Sequence, residues 1–144
     1  MQDIDPAAAR ALALAAVGLW GKGMALSAAQ VIVRVRSRAV TRPEDARLMR
    51  VAPAVAEHPM VDTLGAAWRN EAEATPALLA LAGAYVILGG AHPAFQGALL
   101  VYVVARWIHG LVQALGRQPD RTLAWLAGVV ATATVAALLL GQIA

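Results

Sequence analysis

ATPALLALAGAYVILGGAHPAFQGALLVYVVA, residues 74–105, gives the clearest indication of how the chain folds. Its 32 residues include no Asp, Glu, Lys or Arg. That is too many for one membrane-spanning helix and too few for two, because each span needs about 20 residues. Gly89-Gly90-Ala91-His92-Pro93 in its middle is typical of a turn. The stretch therefore predicts two antiparallel helices, which borrow residues from their polar flanks and cover about 67–88 and 93–115.

Two more stretches have the length and composition of membrane spans. Residues 122–144 contain no charged side chain and would make about 34 Å of helix, against a hydrocarbon core of about 30 Å. Residues 11–33 are interrupted only by Lys22. A signal peptide is the alternative for the N-terminus, but the acidic Asp3 and Asp5 have the wrong charge for one. We expect one all-α membrane domain over residues 1–144, a bundle of four transmembrane helices over about 7–37, 67–88, 93–115 and 121–143.

Composition supports a membrane protein and limits its chemistry. Hydrophobic residues make up 60% of the chain and charged residues 15%, against about 45–50% and 25% in soluble domains. The absence of cysteine excludes disulfides and a cysteine nucleophile. The net charge of +3 could suggest a nucleic acid, but seven of the twelve basic residues lie between Arg34 and Arg69. In a membrane protein this cluster predicts a cytoplasmic loop over about 39–66, with both chain termini on the opposite side. We expect no nucleic-acid partner and no metal.

Counting outward from the turn predicts which polar residues share a depth. Glu73 and His109 lie at nearly equal counts on the two arms, as do Arg69 and Gln113. Arg106 falls one turn deeper. Charges at membrane depth should face protein or a wet cavity, because contact with lipid is costly. The count therefore predicts a polar zone between these helices, in which Glu73 and His109 could form a hydrogen bond.

The start of the last helix adds an anion-binding element to this zone. Asp120 is the expected N-cap, and Arg121 and Thr122 fall in the first turn, where the helix dipole and free N–H groups favour an anion. Arg34 lies at the end of the first helix, on the same side of the membrane. Cations, amides, a carboxylate and an imidazole together suit a small zwitterion such as glutathione, although a phosphorylated metabolite would fit almost as well.

Four motifs in order make the chain resemble the MAPEG family, the membrane-associated proteins of eicosanoid and glutathione metabolism. They are Gln30-x-x-x-Arg34-x-Arg36 followed by Pro43-Glu44-Asp45, Arg69-Asn70-Glu71-x-Glu73-x-x-Pro76, Arg106-x-x-His109 and Pro119-x-Arg121-Thr122. The Pro-Glu-Asp element points to the microsomal glutathione transferase and prostaglandin E synthase branch. The alanine-rich composition suits a bacterial inner-membrane protein.

The resemblance implies a homotrimer that binds glutathione between subunits, on the cytoplasmic side. Arg121 would stabilise the thiolate, and Thr122 and Asp45 would assist. The implied glutathione-binding residues are Arg34 from the adjacent subunit, with Arg69, Asn70, Glu73, His109, Gln113, Arg121 and Trp125. Gln113 and Trp125 stand where prostaglandin-synthase relatives have tyrosines.

The expected function is a glutathione-dependent transferase or peroxidase, with prostaglandin-synthase-like isomerase activity also open, acting on a lipophilic small molecule from the surrounding membrane lipids. Three other interpretations stay open. Arg69, Asn70 and Glu73 could form a structural ion pair at a helix end. The protein could bind or transport a small anion without chemistry, which Lys22 and Arg106 would suit. It could also be an inactive scaffold with the same fold.

Overall fold

The computed structural model describes residues 4–144, so Asp3 lies outside the described residues. Their helices are α1 (Pro6–Ser37), α2 (Pro43–Met49), α3 (Pro59–Ile87), α4 (Pro93–Ala114) and α5 (Asp120–Ile143). The all-helical prediction is confirmed. Helices α1, α4 and α5 are long and apolar enough to cross a membrane. Helix α3 is long enough, but its first half carries charged residues, so the count of four spans stays a prediction.

Helix α3 begins at Pro59, eight residues before the predicted start. The prediction used only the length that a span requires, whereas Pro59 occupies the first helical position and His58 caps the helix by accepting from the Met60 N–H at 3.2 Å. The expected loop over 39–66 is correspondingly shorter. It also contains α2, which begins at Pro43 and has Glu44 and Asp45 in its first turn.

The turn between α3 and α4 closes over a tyrosine. Gly89 adopts φ 75°, a left-handed conformation that glycine accepts without steric cost. The backbone N–H of His92 donates to the Tyr85 hydroxyl at 2.8 Å, and the Tyr85 ring packs on that of Phe95 with centroids 4.6 Å apart. Because Gly90 lies directly against the Tyr85 ring, a Cβ at that position would overlap it.

Gly90→Ala should therefore destabilise the protein by about 1–3 kcal/mol, because the Tyr85 ring has to move and its hydrogen bond is strained. Denaturation in detergent measures the effect. Gly97→Ala is the matched control, since its Cβ would meet open space on α4. It should change stability by about 1 kcal/mol or less, in the stabilising direction. Equal effects at the two positions would contradict this account of the turn.

The apolar core occupies the half of the bundle next to this turn. Its largest fully buried side chains are Leu78, Tyr85, Phe95, Leu99 and Val135. Helix α4 packs against α1, α3 and α5. The polar half of α3 thus lies beside the C-terminal half of α4 and the start of α5, which is where the ionisable side chains gather.

Candidate functional site

Three charged side chains from three helices meet inside the bundle. Lys22 of α1, Glu71 of α3 and Arg106 of α4 expose only 2%, 5% and 2% of their surface. Glu71 Oε2 accepts from Lys22 Nζ and from Arg106 Nε, the latter at 3.0 Å, and Arg106 Nη2 lies 3.0 Å from the same oxygen. Thr75 Oγ1 donates to Glu71 Oε1 at 2.5 Å. We call Lys22, Glu71 and Arg106 the buried ion cluster; with both basic groups protonated, its net charge is +1.

A hydrogen-bonded path leads from the buried ion cluster to a second group of polar residues. Arg106 Nη2 donates to the backbone oxygen of Asn70 at 3.0 Å and to its Oδ1 at 2.6 Å. Asn70 is half-buried and stands in the wall of a cavity. The guanidinium of Arg106 therefore connects the ion cluster to the cavity wall.

This cavity lies between α3, α4 and α5 and has a volume of about 380 Å³. That volume is in the range of about 300–1,000 Å³ typical of small-molecule sites. Its wall consists of Ala66, Asn70, His109, Gln113, Arg121, Thr122 and Trp125. We call it the polar cavity. Except for Ala66, every wall residue is one that sequence analysis selected.

His109, in the wall of the polar cavity, has a buried ring nitrogen that lacks a hydrogen-bond partner among the described residues. Its side chain is 4% exposed. Its Nδ1 has no hydrogen-bond partner within residues 4–144. A buried polar atom without a partner costs free energy, so His109 carries unfilled hydrogen-bonding capacity beside the polar cavity.

Arg121 and Thr122 are held at the start of α5 by Gln118. When the Gln118 amide is oriented to satisfy both neighbours, its oxygen accepts from Arg121 Nη2 at 2.6 Å and Nε at 2.9 Å. Its nitrogen then donates to Thr122 Oγ1 at 3.3 Å. Arg121 is exposed towards the cavity mouth rather than buried. Two of its five donors are engaged, which leaves Nη1 and one Nη2 hydrogen for a ligand.

The helix N-terminus itself differs from the prediction. Asp120 is the first helical residue rather than the N-cap, and its carboxylate pairs with Arg117 at 2.9 Å. The backbone N–H groups of Arg121, Thr122 and Leu123 donate to carbonyls of the preceding turn, at 2.9–3.4 Å. Those donors are already used, so an anion at this position would be held by the Arg121 side chain and not by free backbone N–H groups.

Glu73 and Arg69 do not line the polar cavity. Both side chains are exposed on α3. Glu73 follows Glu71 by two residues and so points about 200° away around the helix, which turns it away from α4. It is Glu71, and not Glu73, that meets the polar residues of α4. The expected hydrogen bond between Glu73 and His109 is absent from the described part of the chain.

Arg34 and Asp45 lie away from the polar cavity of their own chain. Arg34 Nε pairs with Glu57 Oε2 at 3.0 Å, and Thr41 Oγ1 donates to the other oxygen of that carboxylate at 3.0 Å. Asp45 is exposed in the first turn of α2. The contacts of Glu57 therefore tie the last turn of α1 and Thr41 to the residues just before α3.

Sequence reasoning missed Glu71 as the partner of Lys22 and Arg106. The signal was present, because Lys22 and Arg106 are cations within apolar stretches, and such groups require a counter-charge. Among residues 4–144, no group of three His, Asp or Glu side chains could hold a metal ion.

An apolar cavity of about 400 Å³ adjoins the polar one. Trp125 contributes to both walls. The other lining residues include Ala74 and Ala77 of α3, Tyr102 and Arg106 of α4, and small residues of α5 such as Gly128. We call it the apolar cavity. A polar and an apolar compartment therefore meet at one indole ring.

Comparison with known protein families matches residues 12–141 to the MAPEG family. The matched range includes the buried ion cluster and the entire wall of the polar cavity. No curated protein matches the chain.

Proposed function

The chain belongs to the MAPEG family, and on that premise we propose that it is a glutathione-dependent membrane enzyme, a transferase or a peroxidase. One observation carries the proposal: the polar cavity gathers Asn70, His109, Gln113, Arg121 and Thr122 from three helices in a space of small-molecule size. The family includes glutathione transferases and related enzymes, which agrees with this chemistry.

Glutathione matches the charges around the polar cavity. It carries two carboxylates, one ammonium and a thiol, and its net charge is negative. Arg121 supplies a guanidinium with free donors at the mouth, and the buried ion cluster adds a net positive charge behind Asn70. A thiol titrates near 8.5, and an adjacent cation favours its thiolate. We propose that Arg121 stabilises the thiolate and that Thr122 donates a hydrogen bond to it.

The thiolate would then react in one of two ways. In a transferase, its sulfur attacks an electrophilic carbon, forms a thioether and expels the leaving group with the bonding pair. In a peroxidase, its sulfur attacks the terminal oxygen of a hydroperoxide, the O–O bond breaks, and the alkoxide leaves with the bonding pair and is protonated to an alcohol. The resulting sulfenic acid condenses with a second glutathione to the disulfide and water.

The apolar cavity is the proposed site of the lipophilic substrate. It shares Trp125 with the polar cavity, and its wall consists mainly of small apolar residues. A substrate dissolved in the bilayer could occupy it without losing its apolar surroundings, while its reactive end meets the thiolate near the indole ring.

We also propose that the chain forms a homotrimer in which a neighbour supplies Arg34. Arg69 and Glu73 are exposed on α3. If α3 crosses the membrane as the fourth span, contact of these charges with lipid would be costly. A neighbouring subunit that covers them would remove this cost and enclose the ligand. We place the site on the cytoplasmic side of a bacterial inner membrane, because the basic segment after α1 favours that orientation.

Transport of an anion without chemistry is the alternative function. That interpretation used Lys22 and Arg106 as free cations within the membrane. Both are bonded to Glu71, so neither is a cation without a counter-charge, and an anion would meet a net charge of +1 rather than +2.

Thermal unfolding of the purified protein in detergent, with and without millimolar glutathione, tests the proposal. A ligand at a hundredfold excess over its dissociation constant stabilises the native state by about 2.7 kcal/mol. We expect such a shift with glutathione. No shift at tens of millimolar, or an equal shift with inorganic phosphate, would contradict the proposal.

Gln113→Glu provides the matched variant. It adds a negative charge to the wall and should weaken glutathione binding about tenfold or more, because like charges then face each other. Gln96→Glu makes the same change on the same helix at an exposed position outside the polar cavity, and should leave binding unchanged.

A further inference from the structure

We propose that Arg106 is a positioning residue that sets the hydrogen-bonding polarity of the polar cavity. It turns the Asn70 side chain so that the amide presents its NH₂ group, and the ligand therefore places a carboxylate or carbonyl oxygen against Asn70. This inference rests on the proposed function and identifies which kind of ligand group meets Asn70.

The orientation of the Asn70 amide follows from its partner. Asn70 Oδ1 lies 2.6 Å from Arg106 Nη2. A guanidinium has only donors, so the amide oxygen has to face it, and Nδ2 has to point elsewhere. Asn70 lines the polar cavity, which makes a donor the group left for a ligand.

Arg106 is itself held too firmly to let the amide turn over. Its side chain is almost fully buried. Nε donates to Glu71 Oε2, Nη2 forms an ion pair with the same oxygen, and Nη2 also donates to the backbone oxygen of Asn70. Glu71 is fixed in turn by Lys22 and Thr75. The buried ion cluster thus fixes the orientation of the Asn70 amide in the wall of the polar cavity.

This arrangement makes the wall rich in donors. Arg121 can only donate, Asn70 is left with its donor, and Gln113 and the His109 ring can supply either type of group. An oxygen-rich end of a ligand satisfies such a wall. A ligand ammonium placed against Asn70 would instead leave two donors facing each other.

Asn70→Asp tests the inference by reversing the polarity. One aspartate oxygen can still accept from Arg106, so the buried ion cluster keeps its partner, and the other oxygen stands where Nδ2 was. We expect glutathione affinity, measured by calorimetry, to fall about tenfold or more. If Asn70 instead met the ligand ammonium, the variant would bind glutathione as tightly as the wild type or more tightly, which would overturn the inference.

The binding of two glutathione amides distinguishes a contact between Asn70 and the ligand from a purely structural role of Asn70. One has the glycyl carboxylate converted to a carboxamide, and the other has the γ-glutamyl α-carboxylate converted. A carboxamide can donate to the new aspartate, so one of the two amides should bind Asn70→Asp more tightly than glutathione does. If the change from wild type to Asn70→Asp weakens the binding of both amides as much as that of glutathione, the inference is wrong.

Arg106→Lys connects this preference to Arg106. Lysine retains the charge but lacks the planar fork that holds both Glu71 and Asn70. The ratio of the affinities for glutathione and for each amide should therefore approach one in this variant. A ratio equal to that of the wild type would contradict the role of Arg106. If Arg106→Lys does not fold, Asn70→Asp and the two amides decide alone.

The same measurements separate this inference from the proposed function. If the wild type does not bind glutathione, both are wrong. If the wild type binds glutathione and Asn70→Asp binds it equally or more tightly, only the inference is wrong.

Discussion

Replacing Glu71 by glutamine will lower the free energy of unfolding by about 3–5 kcal/mol, because removing one partner of a buried ion pair leaves an uncompensated charge. Glu71 is the only carboxylate that bonds to Lys22 and Arg106 within residues 4–144. Without it, two buried cations face each other across the bundle. Denaturation of the purified variant in detergent, followed by circular dichroism, measures the loss.

A double variant separates charge balance from packing. Lys22→Met combined with Glu71→Gln leaves Arg106 as the single charge, so the net charge returns to +1 and the repulsion disappears. We expect it to recover a substantial part of the stability lost in Glu71→Gln. Asp62→Asn, exposed in the first turn of the same helix, should cost less than about 1 kcal/mol. If Asp62→Asn lowers the free energy of unfolding as much as Glu71→Gln does, the buried ion cluster contributes no more to stability than an exposed charge.

Arg121→Ala will lower kcat for glutathione conjugation by about a hundredfold or more while the protein stays folded. We propose that Arg121 holds glutathione as its thiolate, which is the nucleophile; without this cation, only about 1% of a thiol that titrates near 8.5 is ionised at pH 6.5. An aryl halide is a suitable test electrophile, because the thiolate displaces halide and the thioether is followed by absorbance.

Arg117→Ala is the matched control for this variant. Arg117 lies four residues earlier, pairs with Asp120 and does not line the polar cavity. It removes the same charge from the same segment and should change kcat little. An unchanged rate in Arg121→Ala would remove the proposed thiolate role, and equal losses in both variants would assign the effect to the general charge of this segment.

The bounds of three long helices could be predicted closely because charge and turn residues mark them. Helices α1, α4 and α5 begin and end within one residue of the predicted limits. Helix α3 is different, since its first turns, from Pro59 onwards, are polar and carry no span signal. The length of a membrane span predicts only the helical residues that the bilayer requires, and α3 has further turns before them.

The candidate site was predictable in part of its membership but not in the rotation of α3 about its axis. Counting from the turn placed α3 and α4 side by side, yet depth alone does not fix how a helix is rotated about its axis. Glu73 and Glu71 differ little in depth and point to different sides of α3, so the count selected Glu73 where the structure brings Glu71 to Arg106. Likewise, the sequence motif located Arg121 but could not show that the neighbouring backbone N–H groups are already bonded.

The most direct test of the central claim is the ultraviolet difference spectrum of the thiolate when glutathione is added to the purified protein at pH 6.5. Free glutathione is almost entirely a thiol at this pH, because thiols titrate near 8.5. We expect thiolate absorbance that saturates with glutathione, is absent with S-methylglutathione and is lost in Arg121→Ala. Saturable binding without thiolate absorbance, or thiolate absorbance that persists in Arg121→Ala, would contradict the claim.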